Sequence, residues 1–452
     1  MNIRFKIILS CFYFIIVCFT NIFSQHWQSD FPVLNSQIRC IYSDTLTNKL
    51  YVGGAIPSLG TPPPYGLMEY NGVKWDTLPN SGISPIYAIT RYNSDIVLGG
   101  SLGIKKWNGS TFDTLGKGVN GAVFSLFVLN NELYVGGVFD TAGNIPVNSL
   151  AKWDGNTWSN VFSFPNNNTI GNYNYVNSIA LYNNDLIVAG NFEFPLNEIA
   201  KWDGTNWISL GGGFYGSLAG VEKVLEYKNN LYVAGTFSKT ENPNNPGNYI
   251  AKWDGINWSD VGGGVIGIGG GNGQVHDLII YNDELYAGGV FSYAGGVPAQ
   301  YIAKWDGTQW CGLGSYFDNR IYGLAVYQDM LYIGGGFWTI DGDSINSIAK
   351  WTGGSYVDTC GIITSINQIN DKENNITVYP NPATENITLE IPEGESGQYS
   401  LQFLDVTGRL IKEEKNISDK TYFLNVYSLK KGVYFVKLIG SKYLYLEKMI
   451  IQ

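Results

Sequence analysis

Charge is scarce in this chain. Lys, Arg, Asp and Glu make up 15% of its 452 residues, against about 25% in an average globular protein. The 38 acidic residues outnumber the 28 basic ones, for a net charge of −10. That balance excludes a nucleic-acid partner, because phosphate binding needs clustered Lys and Arg. Too little Ala, Glu and Lys is present to build a helical protein. Only two His occur, which leaves little for proton relays or metal sites. No segment beyond the N-terminus reaches 18 consecutive apolar residues, so no transmembrane helix is expected after it. What the chain does have is 56 Gly and 15% aromatics. Glycine for turns and aromatics for strands point to an all-β fold of many short elements, with too much apolar surface for disorder.

Arg4 and Lys6 precede an apolar run from Ile7 to Phe19, the pattern of a signal peptide. Cleavage after Ser24 would leave Gln25 first. Cys11 and Cys18 would go with the signal, leaving Cys40, Cys311 and Cys360. Their spacing matches no metal knuckle, and an odd number precludes complete pairing. Three buried thiols are one outcome. A Cys40–Cys360 bridge stapling the two ends of the repeat region is the other.

Repetition dominates residues 36–360. A strand ending in a glycine pair recurs at Gly53-Gly54, Gly99-Gly100, Gly136-Gly137, Ala189-Gly190, Ala234-Gly235, Gly288-Gly289 and Gly334-Gly335. A second element, Ile-Ala-Lys-Trp-Asp-Gly, is clearest around Trp153, Trp202, Trp253, Trp305 and Trp351, with Tyr70 and Trp107 as weaker members. Seven units of this period predict a seven-bladed β-propeller of four-stranded blades; a β-solenoid would repeat more often. Asp-Gly joins the third and fourth strands, and pairs such as Asn130-Asn131 join the first and second, as tight hairpins require. The Trp residues read as wedge filling between blades, and the glycine pairs as points of close blade approach.

Gly-Gly, an aromatic and then a Trp on the next strand resemble the kelch-type propeller repeat. The stretch Gly288–Gly296 with Ile302–Gly307 also looks like repeats of Bacteroidetes surface proteins. The five residues from Trp153 to Trp158 depart from kelch spacing, which is about one longer. Two segments compete to close the ring: one around Trp27, the other around Tyr356. The Trp27 segment is the one expected to complete the last blade.

Residues 361–374 read as a linker, and 375–452 as seven short strands in a small Ig-like β-sandwich. Tyr379-Pro380-Asn381-Pro382, Asp405-Val406-Thr407-Gly408-Arg409, the run Leu429–Lys437 containing Gly432 and Tyr434, and the ending around Lys448 occur in order. Together they resemble the type A C-terminal sorting domain of type IX secretion cargo. The resemblance implies export across both membranes by the type IX machinery, removal of the tail, and attachment to surface lipopolysaccharide.

Strand parity places the variable loops on one face of the propeller, where binding usually resides. They carry Phe162, Phe164, Tyr173, Tyr175, Phe214, Tyr215, Tyr293, Tyr316 and Phe317, of which Tyr215 and Tyr316 are the chosen candidates for stacking on a sugar. A second candidate set is one residue per blade, next to the first residue of the innermost strand: Arg39, Tyr87, Phe124, Asn177, Glu222, His276 and Tyr322. No catalytic constellation, metal site or cofactor motif is expected. His276 has no second His, Tyr or Cys nearby for a copper site, and Asp341-Gly342-Asp343 lacks the distal Glu of a calcium loop. The leading expectation is a secreted or surface-attached, non-enzymatic module for a glycan or protein. The alternatives are a carbohydrate-active enzyme, using carboxylates such as Glu222, Asp277 and Asp318, and a structural surface-layer component.

Overall fold

Turn chemistry sets the strand count. The computed structural model describes residues 26–29, 31, 36–56, 66–161, 174–192, 196–215, 220–239, 242, 244–353, 360, 376–391, 399–405, 410–417, 420–439 and 444–452. In blades 3 to 7 the first and second strands join through turns with positive φ at both positions, 52° at Asn130 and 62° at Asn131, for example. Third and fourth strands join over Gly155, Gly204, Gly255 and Gly307, with φ between 97° and 109°. The Asp before each glycine locks the turn. Asp154 Oδ1 accepts the N–H of Asn156 at 2.8 Å and of Thr157 at 2.7 Å, and Asp203 and Asp254 repeat the arrangement.

The result is seven four-stranded antiparallel sheets before the tail. Their innermost strands are Gln37–Asp44, Ile86–Tyr92, Ala122–Leu129, Tyr175–Tyr182, Val221–Tyr227, Gln274–Tyr281 and Ile321–Tyr327, here blades 1 to 7. Each packs beside the next, and blade 7 returns to blade 1. The described residues contain no α-helix, only a 3-10 turn at Ile268–Gly270. Trp27–Gln28 pairs with Ile348–Trp351 and completes blade 7. Ring closure thus uses the expected segment; Tyr356 lies outside the described residues, as do the expected signal peptide and the linker at 361–374.

Each core sits between two blades. One cluster unites Ile38, Leu50 and Val52 of blade 1 with Ala325, Tyr327 and Tyr332 of blade 7. Another unites Val97 and Ile104 of blade 2 with Val123, Leu133 and Val135 of blade 3. Burying each of the Val, Leu and Ile side chains contributes roughly 1.5–3 kcal/mol. The glycine pair serves this packing in two ways. A Cβ on its first member would meet the next blade: at Gly136 it would lie 2.6 Å from Val176 Cγ1, and at Gly334 2.5 Å from Ile38 Cγ2. The second member instead makes room within its own blade, where every innermost strand carries a β-bulge. There a Cβ on Gly137 would fall 2.0 Å from Ala122 O.

Hydrogen bonds rivet the blades at both edges. Fourth-strand indoles reach back one blade: Trp158 Nε1 donates to Leu115 O at 3.0 Å, Trp258 to Leu210 O at 2.9 Å and Trp310 to Val261 O at 2.7 Å. Tyrosines ending innermost strands reach forward one blade, with Tyr227 Oη donating to Asp283 O at 2.8 Å and Tyr327 Oη to Asn48 O at 3.0 Å.

Neither expectation for the cysteines holds. Cys311 and Cys360 form a disulfide, and Cys40 is the free thiol. Cys40 Sγ lies against Ile86 O of the next blade, facing the barrier between blades 1 and 2, and burial pushes its pKa far up. Cys311 lies on the fourth strand of blade 6, where the chain leaving blade 7 can reach it. The bridge therefore ties blade 6 to the end of the repeat region.

The chain divides into two compact units, 1–360 and 361–452. The second contains seven strands, in a three-stranded sheet (Thr377–Tyr379, Asn386–Glu390, Thr421–Asn425) and a four-stranded one (Tyr399–Asp405, Leu410–Ile417, Gly432–Ile439, Leu444–Ile451). Val378, Ile387 and Leu389 pack against Leu401, Phe403 and Val436 as one core, which makes the tail a β-sandwich.

Three outcomes test this architecture. Gly136→Val should destabilise the propeller by about 3 kcal/mol through overpacking, whereas Ala189→Gly should cost less than about 1 kcal/mol; urea unfolding followed by Trp fluorescence measures both. Cys311→Ser should remove about 4 kcal/mol, from closure of a loop spanning 49 residues. Thiol reductant should reproduce that loss in the wild type, and Cys40→Ser should not. The carboxyls of Asp154, Asp203 and Asp254 are held below the ordinary aspartate range by turn N–H groups, those of Thr157, Asn206 and Asn257 first. Their stabilisation is complete above pH 4 and lost as pH falls through the depressed values. The triple Asp→Asn variant should therefore show a shallower acid limb in melting temperature against pH.

Candidate functional site

The seven positions chosen from the sequence share one backbone event. Arg39, Tyr87, Phe124, Asn177, Glu222, His276 and Tyr322 are the extra residues of the seven β-bulges. A bulge re-aims its side chain, and here it places these seven at equivalent positions on the innermost strands, where several of them meet a neighbour. Tyr87 and Phe124 meet edge to face at 5.3 Å between centroids, and Phe124 meets Tyr175 at 6.0 Å. Asn177 Nδ2 donates to Val221 O at 3.0 Å. His276 Nδ1 lies 2.6 Å from Glu222 Oε2, and Gln274 Nε2 donates to the other Glu222 oxygen. The His276 ring lies 4.9 Å from that of Tyr322, over which the Arg39 guanidinium sits at 4.0 Å.

This girdle has two unlike arcs. Tyr87 and Phe124 of blades 2 and 3, with Tyr175 beside the bulge of blade 4, make one arc aromatic; Glu222, His276 and Arg39 of blades 5, 6 and 1, packed around Tyr322 of blade 7, make the other polar and charged. Arg39 donates to Gln37 Oε1 at 3.0 Å, but its Nε is buried without a partner, as is Nε2 of His276. The carboxylates considered for glycosidic chemistry are engaged elsewhere. Glu222 is held by His276 and Gln274; Asp277 pairs with Lys223 at 2.7 Å and accepts the N–H of Leu278 and of Leu324, the latter across blades at 2.8 Å. No cluster of metal-ligating side chains occurs among the described residues.

The variable-loop face supplies the other candidates. Tyr316 is 62% exposed and Tyr215 38%. Tyr215 is fixed by Asn245, which accepts its N–H at 2.8 Å and donates to its carbonyl at 2.7 Å. Phe214 and Phe317 point inward and are core residues, because side chains alternate along an extended loop segment. Tyr175 is half-buried in the girdle and Tyr293 partly buried; Phe162, Phe164 and Tyr173 lie outside the described residues.

Trp338, 48% exposed, went unnoticed in the sequence. The available signal was its place directly after a buried Phe: the same place holds Asp140, Ser238 and Ser292 in other blades. Its loop is firmly tied. Asp318 Oδ1 accepts the Trp338 N–H at 2.8 Å, and Asp341 Oδ1 accepts that of Tyr316 at 2.7 Å. A backbone bridge between Phe317 and Ile340 joins the two segments. Asp341 thus closes a turn, with positive φ at Asp341 and Gly342.

In the tail, the Pro-Asn-Pro motif docks on the last strand. Asn381 Nδ2 donates to Lys448 O at 2.6 Å, and Asn381 Oδ1 accepts the Ile450 N–H at 2.9 Å. Pro380 and Pro382 both follow cis peptide bonds. Tyr434, which follows the strand's first residue Gly432 by two, donates through Oη to Lys430 O at 2.8 Å. Gly408 lies outside the described residues. Asn381 thus ties the segment after the first strand of the three-stranded sheet to the last strand of the four-stranded one.

No curated protein matches the chain. Solved structures similar to it include the GH74 enzyme of Niastella koreensis, at 11% identity and a TM-score of 0.42 over 93% of this chain and 74% of that one. Hsv2 of Kluyveromyces lactis matches at 11% and 0.33, over 84% and 100%, and YjhT at 14% and 0.36, over 72% and 94%. No helix among the described residues is long and apolar enough to cross a membrane. Residues 377–452 match the family described as the secretion system C-terminal sorting domain. The tail therefore belongs to the sorting domains of type IX secretion, and the chain is exported by that route to the cell surface or the extracellular space.

Proposed function

We propose that the protein is a non-enzymatic, kelch-like propeller that binds a glycan on its variable-loop face after delivery by type IX secretion. In this reading residues 1–24 are a signal peptide, 25–360 the binding propeller and 375–452 the sorting domain. The tail is removed on arrival, with lipopolysaccharide as the surface anchor. The observation that carries the binding role is the pair Tyr316 and Trp338, 62% and 48% exposed on loops fixed by Asp318 and Asp341. Large aromatics in water usually mark a binding surface when their backbone is rigid, because little ordering remains to be done on contact. Pyranose rings stack on such planes, while adjacent carboxylates and amides accept and donate to hydroxyls. The engaged state of Glu222 and Asp277 favours binding over hydrolysis.

Glycan-array screening of the full chain is expected to return polysaccharide ligands. Trp338→Ala and Tyr316→Ala should each weaken them about tenfold or more without lowering the melting temperature. A panel without a single glycan ligand would redirect the reading to a protein partner.

A further inference from the structure

The axial girdle contains an unanswered cation. Among the described residues Arg39 makes one hydrogen bond, to Gln37, and one ring contact, to Tyr322. No carboxylate pairs with it among the described residues. The contrast with the next blade is direct: Arg91 donates from two nitrogens to both oxygens of Asp44. Leaving a buried N–H unsatisfied is costly, so such groups in native proteins are usually met by water, an ion or a ligand. A second orphan lies nearby. The His276 side chain is nine-tenths buried, its Nδ1 is taken by Glu222, and its Nε2 has no partner. Both orphans belong to residues packed on one ring, that of Tyr322.

Position within the girdle gives the ligand its chemistry. Arg39 of blade 1 stands where the two arcs meet, with Tyr322 and His276 on one side. In ring order the aromatic arc of Tyr87, Phe124 and Tyr175 begins on the other. A guanidinium fork suits a carboxylate, and aromatic planes suit the C–H face of a sugar ring. We infer that the girdle takes a carboxylate-bearing sugar, a hexuronate unit, with its acid group on Arg39 and its ring toward the aromatic arc. This deepens the glycan reading and rests on it: the face would select acidic polysaccharides, gripping an acidic residue at the axis and a further sugar on Tyr316 and Trp338.

Calorimetric titration of the full chain with D-glucuronate, D-glucose and sulfate separates the contributions, since the two sugars differ only in the acid group. Glucuronate should bind at least tenfold more tightly than glucose. Arg39→Gln should abolish that preference, Arg39→Lys should retain part of it, and Trp338→Ala should leave it intact. Equal binding of the two sugars overturns the inference, as does a preference that survives Arg39→Gln in a protein with wild-type melting temperature. Sulfate binding as tightly as glucuronate overturns the sugar assignment. Should Arg39→Gln fail to fold, phenylglyoxal labelling of wild-type Arg39 replaces it: glucuronate should protect the residue and glucose should not, and equal labelling in both counts against the site. A Trp338-dependent glycan signal without glucuronate binding ends this inference while leaving the face reading standing. Glucuronate binding without any Trp338 effect on arrayed glycans does the reverse.

Discussion

Contact between neighbouring innermost strands is the constraint on which the propeller depends. Seven sheets can share one axis only if the strands nearest it pack almost backbone to side chain. The fit is achieved where a glycine or alanine of one blade receives a β-branched residue of the next, as Gly99 receives Val123 and Gly288 receives Ile321. Directly beside that contact each innermost strand bulges, and the bulge frees one residue from the alternation that governs the rest of the strand. Tight packing and the inward-facing girdle are therefore one piece of backbone geometry. Residues at the bulge can vary from Arg to Phe because their neighbours, not they, carry the packing.

Away from the axis, polar bonds divide the work. Tyrosine hydroxyls hold the tight-turn edge and indole nitrogens hold the outer edge. A third set of contacts pairs the lysine of the third strand with the acid opening the second, Lys152 with Glu132 and Lys201 with Asp185. Blade 1 keeps that pair with the charges exchanged, Lys49 facing Glu69. Surface pairs of this kind contribute little individually, but their persistence through a sign reversal shows that the cross-strand position is what matters.

Periodicity made the blade count, the strand count and the closing strand readable, since turn residues and paired aromatics act locally. The seven girdle positions were also readable as a column of unlike residues beside constant ones. Their bulged conformation was not, because a bulge is defined by the partner strand and not by the residue that forms it. The disulfide was hidden for a related reason. Cys360 meets Cys311 across two units of the repeat, a pairing that depends on which strand completes blade 7 and not on cysteine spacing. Trp338 escaped notice because a Trp near a Trp-rich repeat looks like wedge filling until its exposure is known.

Blade 7 is the one blade assembled from both ends of the repeat region. His26 O accepts the Thr352 N–H at 2.8 Å, and its contact with the Thr352 hydroxyl joins residues 326 apart in sequence. Trp27 Nε1, unlike the indoles of blades 3, 5 and 6, has no acceptor among the described residues, and the Cys311–Cys360 bridge crosses this same junction with blade 6. Joining residues so distant carries the largest loop-closure cost in the ring. The earliest-synthesised strand must wait for the last repeat before it has a partner. The Cys311–Cys360 bridge thus fixes covalently the same region that the borrowed strand closes by hydrogen bonds alone.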